Sequence, residues 1–104
     1  MNQEDKNKIQ TGFNNGHFDS LVGWNHTGEQ VWFYKNFSFY RVEPEAAKSR
    51  VYERFVPALN LFLKHADSDN IDICFTSDID DDYIHVSDLS DYEFDNHKLL
   101  AQEK

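Results

Sequence analysis

At 104 residues the chain has the length of one domain, expected to span 1–104, whose core withdraws roughly two-thirds of the unfolded surface from water. A hydrophobic fraction of 39% and an aromatic fraction of 15% exclude wholesale disorder, and a net charge of -9 excludes a direct grip on nucleic acid or an anionic membrane, since both require positive charge. The lone Cys74 excludes an internal disulfide, and with no apolar signal-peptide region and no run of about 18 apolar residues the expected location is a reducing cytoplasm.

Residues 1–8 have no apolar periodicity beyond Met1 and read as a frayed end or the start of a short helix. Asn14-Asn15-Gly16 and Asn25-His26-Thr27-Gly28 are turn clusters, because Asn and Gly tolerate positive φ. Phe18, Leu21, Val22 and Trp24 lie between them without a clean period, which leaves helix and strand equally open. Gln30 to Val42 is dense in β-branched and aromatic residues and predicts strand, either a hairpin broken at Lys35-Asn36 or one long strand running through. Alternation then puts Phe37, Phe39 and Arg41 on one face and Ser38, Tyr40 and Val42 on the other.

Pro44 to Ala66 predicts a helix, with Ala47, Val51, Phe55, Ala58, Leu59, Phe62 and Ala66 forming one apolar stripe. Pro57 predicts a kink or break near Val56. A loop follows at 67–70, then a strand over Ile71–Phe75 and another over Tyr83–Ser87. Ser90–Asp95 reads as a short strand, and 97–104 as a fraying tail. Strands, helix and strands in this order predict an α+β domain, an antiparallel sheet packed against a Pro-kinked or broken helix.

Charge is segregated along the chain. Residues 1–64 hold seven acids and eight bases, whereas 65–104 hold twelve acids and two bases. Between Asp67 and Asp95 lie eleven carboxylates and no Lys or Arg: Asp67, Asp69, Asp72, Asp78, Asp80, Asp81, Asp82, Asp88, Asp91, Glu93 and Asp95. Apolar residues threaded among them (Ile71, Ile73, Phe75, Ile84, Val86, Leu89) mark folded structure rather than a solvated tail. Like charges held close destabilise a fold through repulsion, so a dense negative face that is kept is a candidate for use.

Other chemistry finds less support. Asp78, Asp80 and Asp82 occupy positions one, three and five of a calcium loop, but Tyr83 stands where Gly is needed and Leu89 where a bidentate Glu is needed. The five histidines show no metal-ligand spacing, and no phosphate loop or nucleophile motif occurs, so neither cofactor, metal nor catalysis is expected. Cys74 reads as a buried structural thiol. The aromatic run Trp32 to Tyr40 reads as core, since base-stacking platforms come with a positive groove.

The stretch DSDNIDICFTSDIDDDYIHVSDLSDYEFD, in a small acidic chain, resembles the small bacterial DNA-mimic proteins, among them one that engages the histone-like protein HU. The resemblance lies in size and charge, without a shared motif. It implies a noncatalytic protein whose carboxylates stand in for phosphates on the DNA-binding surface of a basic nucleoid protein. The eleven carboxylates are the expected partner-binding residues, with exposed Tyr83 and Tyr92 adding apolar contact. A monomer is the expected state. An immunity-type inhibitor of a basic nuclease, or a divalent-metal-binding protein, would use the same acids.

Overall fold

Alternating buried and exposed side chains over residues 30–44 build the centre of a six-stranded antiparallel sheet in the computed structural model, which describes residues 1–44, 49–76 and 83–92. In chain order the elements are α1 (Gln3–Asn14), β1 (Phe18–Trp24), β2 (Gln30–Asn36), β3 (Phe39–Pro44), β4 (Arg50–Tyr52), α2 (Phe55–His65), β5 (Ile71–Phe75), β6 (Tyr83–His85) and a 3-10 helix (Val86–Asp91). The sheet runs β4-β3-β2-β1-β5-β6, every pairing antiparallel. This is the expected α+β architecture. Strands β1 to β4 form a meander, and α2 carries the chain back so that β5 adds beside β1.

The helices lie on one face. Ile9 and Phe13 of α1 and Phe55, Ala58, Leu59 and Phe62 of α2 join Leu21, Val31, Phe33, Val42, Ile71 and Ile73 in one buried cluster. Phe33 sits at its centre, with ring centroids 5.3 Å from Phe13, 5.7 Å from Tyr40 and Phe55, and 5.9 Å from Phe62. Gly23 lets α2 approach closely, since a Cβ there would lie 2.8 Å from that of Ala66.

The N-terminal residues are helix, not a frayed end. The Asn2 side chain accepts from the Asp5 N–H at 2.7 Å, and Glu4 and Asp5 complement the positive helix end. At the other end Gly16, with φ of +79°, allows the His17 N–H to bond Gly12 O and the Gly16 N–H to bond Phe13 O, a Schellman closure. The undecided 18–24 segment is strand.

The predicted helix over 44–66 is corrected. Pro44 ends β3, Arg50–Tyr52 form an edge strand, and the helix begins only at Phe55. Pro57 therefore occupies the first turn, where its missing N–H has no intrahelical acceptor to lose, and neither kinks nor breaks the helix. The apolar stripe survives from Phe55 to Ala66; Val51 is half-exposed on a strand, and Ala47 lies outside the described residues.

The β2–β3 hairpin turns two residues later than expected, at Phe37-Ser38. Phe37 has φ of +57° and is 92% exposed. Its Cβ crowding at that φ costs about 1 kcal/mol and no burial repays it. Phe37→Gly is expected to raise the unfolding free energy by about 0.5 kcal/mol in urea titration, because the entropy that Gly adds to the unfolded chain offsets part of the relief.

The predicted strand at 90–95 is replaced, over its described part, by the end of the 3-10 helix and by Tyr92, which is buried rather than exposed. Its ring stacks on Phe75 at 5.3 Å and tilts against Phe18 at 5.6 Å. Burial pushes the Tyr92 phenol up to about 12, above its ordinary value of 10.0. A raised folded-state pKa gives stability that is complete below the unfolded value and lost as pH climbs through the folded one. Stability should fall from about pH 10 towards 12, and Tyr92→Phe should flatten that limb of a pH series of thermal melts.

Candidate functional site

The loop that opens the acidic stretch is pinned to the end of β1. The Asp67 N–H donates to Trp24 O at 2.6 Å, the Trp24 N–H donates to Asn70 O at 3.2 Å, and Asn70 N–H closes on Asp67 O at 2.9 Å. This leaves the Asp67 and Asp69 side chains exposed at the start of β5. Asp72 is half-buried on the helix-free face of the sheet, in register with Val22 of β1 and His85 of β6. Beyond β6, the His85 side chain accepts from the Ser87 N–H at 3.2 Å and starts the 3-10 helix. Leu89, fully buried, anchors that helix and turns Asp88 and Asp91 to solvent.

These five acids gather on the β5–β6 side of the sheet, on three surfaces: the sheet end, the open face and the flanking 3-10 helix. Strands β5 and β6 carry Asp72 alone; Asp67 and Asp69 lie in the connection before β5, and Asp88 and Asp91 on the 3-10 helix after β6. Asp78, Asp80, Asp81, Asp82, Glu93 and Asp95 lie outside the described residues.

The arginines stand at the other side. Arg41 is on β3, Arg50 on β4 and Arg54 directly before α2. Among the described residues the carboxylate in an ion pair is Glu43, 3.6 Å from Arg41 within β3, and none of the five acids pairs with a described Lys or Arg. Lys8 reaches the 3-10 helix from α1, but its Nζ meets the Ser90 carbonyl at 3.4 Å rather than a carboxylate.

One acid was not foreseen. Asp5 joins Asp69 around a cleft of about 270 Å³ that Met1, Ser68, Val86 and Ser87 also line. The signal was an Asn followed by Glu4 and Asp5, a helix-start pattern that turns the N-terminus into structure docked beside the acidic loop. A second cleft, about 410 Å³, opens between the end of α1 and the β2–β3 hairpin, with Asp19 and Lys35 as its charged groups.

No group of three or more His, Cys, Asp or Glu placed to hold a metal occurs among the described residues. Cys74 is half-buried on the open face, not in the core as expected, because β5 turns Ile71 and Ile73 inward and Cys74 out. Trp32 and Tyr34 are likewise half-buried on that face, so the aromatic run divides between core and open sheet. No described helix is long and apolar enough to cross a membrane. Comparison with protein-family models, curated proteins and solved structures finds no match.

Proposed function

We propose that the chain is a noncatalytic binding protein that presents its acidic side to the DNA-binding surface of a basic protein and competes with DNA for it. The histone-like protein HU is the partner its resemblance to DNA-mimic proteins implies. The observation that carries the proposal is the set Asp67, Asp69, Asp72, Asp88 and Asp91, held on one side of the sheet with no described Lys or Arg paired to it. Carboxylates free of internal partners keep their charge available to an incoming Lys or Arg. The ordered backbone beneath them lowers the entropy cost of aligning them with a phosphate-gripping groove. Association is fast at low salt, weakens as salt rises, and excludes DNA because both ligands need one groove.

The test is displacement of a fluorescent DNA duplex from purified HU, followed by anisotropy. The expected result is release of duplex as the acidic protein is added, with diminishing effect at higher salt. Retention of the duplex at low salt under a large excess of the protein overturns the HU assignment. The same titration against a panel of basic DNA-binding proteins then decides the wider class.

A further inference from the structure

His85 ends β6 and holds the start of the 3-10 helix with its own side chain. Its ring Nδ1 accepts from the Ser87 N–H at 3.2 Å, and the Ser87 hydroxyl lies 3.0 Å from the same nitrogen. The residues preferred for such a cap are Ser, Thr, Asp and Asn, which accept through oxygen. An imidazole accepts only while its nitrogen is bare, and imidazoles take up a proton in the range of about pH 8 to 5. The surroundings offer the charged ring other partners. Asp72 stands opposite His85 in the β5–β6 register, with Cys74 two residues further along β5. Tyr83 precedes it on β6, Asp88 follows on the 3-10 helix, and Ser87 lines the cleft around which Asp5 of α1 and Asp69 stand. Lys8 of α1 also approaches this helix, with its Nζ 3.4 Å from the Ser90 carbonyl.

We infer that His85 is a proton switch built into the acidic side. Neutral, the ring carries its proton on Nε2 and caps the 3-10 helix through a bare Nδ1. Protonated, it has two donors and no acceptor. The Ser87 N–H then loses its partner, Nδ1–H turns to the Ser87 hydroxyl, and the imidazolium is drawn to the Asp72 carboxylate across the ladder. Asp88 is left on a first turn that is no longer held, while the fully buried Leu89 keeps the rest of the helix on the core. The acidic side thereby gains a positive charge and has Asp72 answered from within. The consequence for a basic partner rests on the function proposed above: such a partner is held less tightly as pH falls, and by reciprocity its binding expels the proton. The switch itself needs no partner.

Nitrogen NMR of the free full chain tests the switch directly. At about pH 8 the His85 Nδ1 is expected to be unprotonated and coupled across the hydrogen bond to the Ser87 amide, and at about pH 5 that coupling should vanish. His85→Asn supplies an oxygen acceptor that does not titrate, so its Ser87 amide should keep one position at both pH values. His85→Ala should leave the amide unheld at both. A ring proton on Nδ1 at about pH 8 overturns the switch. So does a Ser87 amide that moves as far in His85→Asn as in the unaltered chain. In competition with duplex for HU, the unaltered chain should lose about fivefold against His85→Asn between the two pH values, the effect of two exposed charge contacts. Equal pH dependence in the two chains overturns the regulation. Failure to compete at either pH, with the NMR change intact, supports the switch and counts against HU alone.

Discussion

Replacing Phe33 by Ala is expected to lower unfolding free energy by about 3–5 kcal/mol, a large part of the roughly 5–15 kcal/mol that a domain of this size has. Phe33 is fully buried, and four aromatic rings lie within 6 Å of its centroid, so their removal of support would be felt from both helices at once. The neighbouring Trp32 points to the opposite face and is half-buried there. In dilute solution Trp32→Ala should cost about 1 kcal/mol or less, although Trp is the larger side chain. Urea titrations of the two variants, followed by circular dichroism, decide which face the helices cover. Equal losses would mean that the sheet is buried on both sides, and the open face would disappear with that result.

Phe33 and Trp32 also show what the sequence could carry. Alternation separates Tyr40 and Val42 from Phe39 and Arg41 correctly, because a two-residue period is a property of one strand, but it fails at Phe37 and Ser38, which form the hairpin turn. The period does not say which face a helix will cover, so the whole aromatic run read as core. The 44–66 segment failed for a different reason. Val51 stands four residues before Phe55 and extended the helical stripe by coincidence, while Arg50–Tyr52, only three residues long, is strand because it pairs with Tyr40–Val42 and too short to show a period of its own. Pro57 is compatible with both a kinked helix and a first turn, and only the position of Phe55 as the first helical residue distinguishes them. The acidic side was legible as composition but not as geometry. Side-chain charge says that Asp88 and Asp91 avoid the core; it does not say that Leu89 will wind them into a 3-10 helix, or that α1 will bring Asp5 beside Asp69.

Changing Asp67, Asp69, Asp88 and Asp91 together to Asn should weaken competition with duplex for HU by roughly thirtyfold, taking about 0.5 kcal/mol for each exposed charge contact. All four side chains are exposed and none makes a described ion pair, so the fold should melt at the same temperature or slightly higher as mutual repulsion falls. The decisive comparison is a second variant with the same net charge, made by neutralising Asp19, Glu29, Glu43 and Glu53, which precede the acidic stretch. Long-range attraction depends on total charge and would be reduced alike in both, whereas a groove that reads position distinguishes them. Loss confined to the first variant, with a shallower dependence on salt, would mean that placement carries the interaction. Equal loss in the two would reduce the acidic side to a bulk charge effect and remove the reason for assigning it a partner. At high salt the difference between the variants should shrink, because the Debye length falls below the spacing of the charges and only the shortest contacts still count.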